Sequence, residues 1–201
     1  MPETWKTVPK PPPVAALPPN TAGLPVPWNA SWTTRPERVH YRAGCGFVLD
    51  CDCVHGHGTP RYGEQCMRRQ RQAMIERRCG LCGRTIASTD TVVFYGSPAQ
   101  ALLFIDPPTH PSCMAYAVRV CPRLAAYAEA SVVLLTRDYL LLQRRALTAD
   151  PQETAGYGLF DLDDALACLA GVLDFYVAVP TAPKVVPVTE WLLATRAART
   201  P

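Results

Sequence analysis

Two short ligand pairs limit what this chain can fold into more than anything else in it. The first is Cys79-Gly80-Leu81-Cys82-Gly83 and the second is His110-Pro111-Ser112-Cys113. Two thiolates two residues apart can bite one tetrahedral ion, and the glycines let the backbone turn tightly around it. Ahead of the second pair, Pro107 and Pro108 hold the chain extended. Pro111 then suits the first turn of a helix, where no amide hydrogen is needed. That places His110 and Cys113 three apart on one face of the first turn. The positive end of the helix dipole favours a thiolate there.

Between the pairs, "TVVFY" and "ALLFI" are β-rich, and the separating "GSPAQ" holds Gly and Pro, which reads as a hairpin. Knuckle, hairpin, then a helix over about 111–120 with ligands in its first turn is the treble-clef arrangement. We therefore expect Cys79, Cys82, His110 and Cys113 to form one Cys3His zinc site. A redox Cys-x-x-Cys would instead open a helix after a strand, whereas here a helix precedes it. The competing reading of the second pair is a capping His110 and a buried Cys113 thiol. Cys121, two turns deeper, and Cys168, within "LACLAG", read as core. A closed four-ligand site leaves no position for substrate and argues for scaffold.

A second group comprises Cys45, Cys51, Cys53, His55, His57 and Cys66. Cys51, Cys53 and His55 alternate, so on a strand they would share a face. A second zinc at Cys51, Cys53, His55 and Cys66 is one reading; partly exposed loop thiols are the other.

Around these groups the chain divides into a Pro-rich arm (1–36), a zinc-binding treble-clef part (37–125) and a smaller α+β C-terminal part (126–201). The class is α+β. Ten of the 21 prolines fall before residue 37, and "KPPPVAALPP" is expected to run extended. Three of the four tryptophans also lie in the arm, so "GLPVPWNASW" should dock on the core through Trp28 or Trp32. "GFVLDCDC" reads as a strand. From Glu64 to Arg78 a helix is expected, stopped by Gly80 and Gly83. Its apolar side would carry Cys66, Met67, Ala73, Met74 and Ile75, with Arg68, Arg69, Gln72 and Glu76 opposite. "SVVLLT" and "YLLLQRR" read as a second hairpin around Arg137-Asp138. "DLDDALACLAGVLDFYV" reads as helix, and "EWLLATRAA" as a last helix capped by Thr189.

Net charge is +3, too small to identify a nucleic-acid binder. The charge is unevenly spread: seven arginines lie from Arg61 to Arg84 against Glu64 and Glu76. No signal peptide or apolar run near the ~20 residues of a spanning helix is visible. The expectation is a cytoplasmic protein (the host cytoplasm if phage-encoded) whose nine cysteines are mostly reduced.

Several stretches resemble a family of uncharacterised bacterial and phage proteins. They are "GLPVPW", "GTPRYGEQC" with "RRCGLCG", "PPTHPSCMAYAVRVCPRL" and "VVLLTRDY". The shared signature is Leu-Pro-Val-Pro plus an aromatic, then CxxCG, then PPxHxxCxxYAxxxCP, and the similarity runs from about Gly23 to Leu173. The resemblance implies that Cys79, Cys82, His110 and Cys113 are the metal ligands, and Tyr116, Ala117, Cys121 and Pro122 match as well. The segment Cys45–His57 and the last helix fall outside the signature. The family implies a phage or mobile-element origin and no particular activity.

Three classes of function fit these readings. One is a zinc-stabilised binding or accessory protein that contacts nucleic acid through Arg68, Arg69, Arg71, Arg77 and Arg78, although no reading-helix motif is present. Another binds a host protein. The third is a metal-dependent nuclease of the HNH type, which needs a catalytic His at the hairpin. That hairpin has none, and only His40, His55 and His57 remain if His110 holds zinc. No small-molecule substrate and no membrane partner are expected.

Overall fold

Proline opens the first element instead of forbidding it. Residues Pro12–Ala15 make one helical turn, α1, with Pro11 as N-cap and proline in the first positions, where a missing amide hydrogen is of no consequence. This corrects the expectation of an extended arm. The turn buries Val14, and Leu17 follows it into the main core. The computed structural model describes residues 5–32, 38–43, 46–98, 103–144 and 175–197. Cys45, Cys168 and most of the helix expected over "DLDDALACLAGVLDFYV" lie outside them.

Two small antiparallel ladders follow. β1 (Ala30–Ser31) pairs with β4 (Arg61–Gln65), and β2 (Arg38–Arg42) pairs with β3 (Gly46–Asp50). The expected strand at "GFVLD" is present. The helix expected from Glu64 is shorter: α2 spans Met67–Ile75. It ends before the glycines, at Arg77, which takes a left-handed φ of 52° while Arg78 N–H bonds Ala73 O at 2.8 Å.

The inward face of α2 is also rotated from expectation. Cys66, Arg69, Gln70, Ala73 and Met74 are buried, whereas Ile75 is 58% exposed. These positions follow the i, i+3, i+4, i+7, i+8 stripe of a core-facing helix. Two polar residues in the stripe disguise it.

β5 (Val92–Gly96) precedes α3 (Pro111–Val120) and α4 (Pro122–Ala126). Then come β6 (Val132–Thr136), β7 (Asp138–Arg144), β8 (Phe175–Thr181), β9 (Lys184–Pro187) and α5 (Val188–Ala197). α3 has the predicted bounds. Neither predicted hairpin forms among the described residues. β5 pairs along its whole length with β6, from Val92 opposite Thr136 to Gly96 opposite Val132. Of "ALLFI", Phe104 bridges Ala178 instead. Long-range burial overrides the local turn signal, since the β5 run Val92, Val93, Phe94 is buried throughout.

β6 and β7 are consecutive pieces of one strand path, not a hairpin. β6 faces β9 and β7 faces β8 in one continuous register, Leu135 opposite Lys184 and Asp138 opposite Thr181. A two-residue hairpin turn needs residues that accept positive φ, and Arg137-Asp138 is a poor candidate. The break falls on the facing strand, at Ala182 with φ 44°. Thr136 Oγ1 donates to Thr181 O at 2.7 Å across it.

The main core gathers Val14 and Leu17 of the arm, Met74 of α2, Phe94 of β5, Tyr116 of α3 and Leu134 of β6. Val118 of α3, Val133 of β6 and Trp191 of α5 pack in a second cluster. The β5–β6–β9 sheet thus draws on both sides of the boundary expected at residue 126. No described helix is long and apolar enough to cross a membrane.

Candidate metal centre

Backbone hydrogen bonds build the first pair. Cys79 N–H bonds Arg84 O at 2.9 Å and Gly83 N–H bonds Cys79 O at 2.8 Å, closing the chain on itself. Gly83 sits at φ +73°, where a side chain would be strained. The arm lies along this turn, with Trp28 N–H donating to Leu81 O at 2.8 Å and Asn29 N–H to Gly80 O at 3.1 Å.

The second pair is brought to the first by its prolines. Gly80 N–H donates to Pro108 O at 2.9 Å, and Thr109 exchanges two backbone bonds with Val93 of β5. Thr109 Oγ1 adds a third, to Val93 O at 2.9 Å. His110 is then the N-cap of α3 and Pro111 enters its first turn.

The four ligand atoms of Cys79, Cys82, His110 and Cys113 all lie within 4.8 Å of one another. Cys82 Sγ stands 3.5 Å from His110 Nδ1, and Cys113 Sγ 4.0 Å from it. The three cysteines are buried and His110 half-buried. Crowding divides the protons unequally. Hydrogen bonds from Cys113 and then Cys79 draw the Cys82 thiol far below the usual range. Cys79 and Cys82 push Cys113 far above it. The same two, Cys79 first, raise the His110 imidazole to about 10. Four soft donors that compete for protons in a buried space are suited to sharing a cation. Cys121 stands apart, half-buried at the α3–α4 junction.

The second group is narrower than expected. Cys51, Cys53 and Cys66 place their sulfurs within 4.8 Å of one another. The His55 ring is not in that set and meets Trp32 edge-on at 5.7 Å. His57 is exposed, and His40 lies on β2.

The arginines expected to contact nucleic acid do not form one exposed face. Arg68 is exposed, whereas Arg69 is 4% exposed. Arg69 Nη2 donates to Ala30 O at 2.6 Å and to Cys53 Sγ at 2.8 Å, and Nη1 to Cys53 O at 3.2 Å. Arg69 therefore serves the interior and not a phosphate. Arg77 donates to Asp90 O and lies 5.5 Å above the Tyr139 ring. Arg78 bonds Glu76 and Gly83 O. Arg71 is half-buried.

Sequence reasoning missed Gln70, fully buried, whose Nε2 donates to Ile105 O and Tyr176 O at 2.9 Å each, tying α2 to β8. It also missed an apolar cavity of about 570 Å3 between the arm and α3, lined by Leu17, Leu24, Tyr62, Tyr116 and Val120. No local pattern announces a cavity made from such distant segments.

Fold and cluster together define a mixed α+β protein with a Cys3His group able to hold a metal ion. Comparison with protein-family models, with curated proteins and with solved structures finds no match to this chain.

Proposed function

We propose that the chain is a zinc-stabilised binding protein in which the ion fastens the knuckle to α3 and the activity is recognition of another macromolecule. The observation that carries this reading is the closed donor set at Cys79, Cys82, His110 and Cys113. Zinc with bonds of about 2.3 Å to sulfur and about 2.0 Å to nitrogen needs sulfur and nitrogen about 3.5 Å apart in a tetrahedron. The Cys82–His110 separation is 3.5 Å. Four protein ligands complete a structural zinc site and leave none for a catalytic water. Knuckle and helix are then held as in a treble clef, with β5 paired to β6 where that arrangement has a hairpin.

A host protein is the partner this reading favours over nucleic acid. Arg69 is committed to the interior, and Arg77 and Arg78 to main-chain carbonyls. Leu140 on β7 is 63% exposed and Leu193 on α5 66% exposed. The resemblance to bacterial and phage proteins supports a phage or mobile-element origin.

Elemental analysis of the full chain tests the zinc, which Cys82→Ser is expected to abolish at this site. Affinity capture from nuclease-treated extract tests the partner. Retrieval of one protein, lost with Leu140→Arg or Leu193→Arg, is expected. Steeply salt-dependent binding to DNA or RNA instead would return the nucleic-acid reading.

A further inference from the structure

Cys51, Cys53 and Cys66 bring three sulfurs within 4.8 Å of one another from the loop before β4 and the N-cap of α2. Cys53 is 1% exposed and Cys66 fully buried. Cys51 and Cys66 sulfurs are 3.4 Å apart, well beyond the ~2.05 Å of a disulfide. Two buried thiols and one half-buried thiol are thus gathered at one point.

Two donors converge on one of the sulfurs. Cys53 Sγ accepts the Trp32 backbone N–H at 3.1 Å and Arg69 Nη2 at 2.8 Å. Such donors orient and stabilise a charged sulfur. Three thiolates, one divalent ion and the Arg69 guanidinium together carry no net charge, which suits a buried site. On the same loop, His55 Nε2 is buried without a partner. The ring packs edge-on against Trp32, with centroids 5.7 Å apart. A metal-ligating histidine needs one ring nitrogen free for the ion.

We propose that Cys51, Cys53 and Cys66 hold a second zinc ion, with His55 as the fourth ligand. His55 lies outside the 4.8 Å set, so ligation by it requires the ring to move toward the sulfurs. The ion would pin the loop 51–57 to α2 and, through Trp32, to the end of the arm. The site is independent of the first and uses none of its residues.

The test is metal stoichiometry on the full chain, loaded with zinc under reducing conditions, desalted and measured by native mass spectrometry. Two ions per chain are expected in the wild type. Cys51→Ser, at the least buried of the three cysteines, should leave one, and so should Cys82→Ser. A wild type with one ion that Cys82→Ser removes would overturn this proposal and leave the first site standing. One ion removed by Cys51→Ser alone would do the reverse. Two ions in both wild type and Cys51→Ser would also overturn it. Where a variant fails to fold, Cys51→Ala or Cys82→Ala replaces it, and a wild type that binds no ion overturns the proposal outright. In the Cys82→Ser chain, His55→Gln should weaken the remaining site by about 10-fold or more. Unchanged affinity there would remove His55 from the ligand set.

Discussion

The Trp28 indole lies on Gly83 so closely that a Cβ at Gly83 would stand 2.6 Å from Trp28 Cγ. One residue belongs to the arm and the other closes the metal-binding turn, so the contact docks the "GLPVPW" stretch on the cluster. Gly83→Ala meets both this clash and a positive φ of 73°. It is expected to destabilise by about 2–4 kcal/mol. In a Trp28→Ala background the clash is gone and about 1 kcal/mol of backbone strain should remain. Denaturant titration of the double-mutant cycle checks this. Equal costs in both backgrounds would show that Trp28 is not what Gly83 accommodates.

The neighbouring arginines Arg68 and Arg69 should differ sharply. Arg69→Ala leaves Ala30 O and Cys53 O without a buried donor and Cys53 without its cation. A loss of about 3 kcal/mol is expected. Arg68→Ala, at an exposed position, should stay within about 0.5 kcal/mol. Urea unfolding of the two variants under one buffer decides it, and similar losses would contradict the buried placement of Arg69.

At the Cys3His cluster, His110→Cys preserves a four-ligand set whereas His110→Ala opens it. The first should retain metal and the second lose or weaken it. A strong chelator should lower the wild-type melting temperature by at least about 10 °C. Calorimetry with and without chelator measures this, and no shift would mean that the four ligands hold nothing that stabilises the fold.

The site was more legible in the sequence than the fold around it, for a physical reason. Metal ligation depends on residue type and short spacing, and Cys79–Cys82 and His110–Cys113 carry both within four residues. Proline at 107, 108 and 111 fixes the local backbone, so α3 starts where the sequence says. Strand partners are chosen by burial over long separations. Nothing local tells Val92–Gly96 to pair with Val132–Thr136 rather than with the β-rich run just after it. The α2 face failed differently. Arg69 and Gln70 look like surface residues until the carbonyls and the sulfur that they serve are in place.

Alkaline pH should expose a further feature of the core. Tyr139 is half-buried, donates to Met74 O at 3.2 Å, and has Arg77 over its ring. Burial raises its phenol above the ordinary value of 10.0, and nearby Arg77 only partly opposes that. The folded chain therefore holds the proton after the unfolded chain has lost it. The stabilisation is complete below pH 10 and declines as pH rises through the higher folded value. Tyr62 and Tyr116, also raised by burial, act in the same direction. Tyr139→Phe cannot ionise in either state, so its stability should fall less steeply above pH 10 than that of the wild type. Denaturant unfolding at a series of pH values from 8 to 11 measures the slope. Identical slopes in the two proteins would show that Tyr139 ionises as readily in the folded chain as in the unfolded one, against the burial described here.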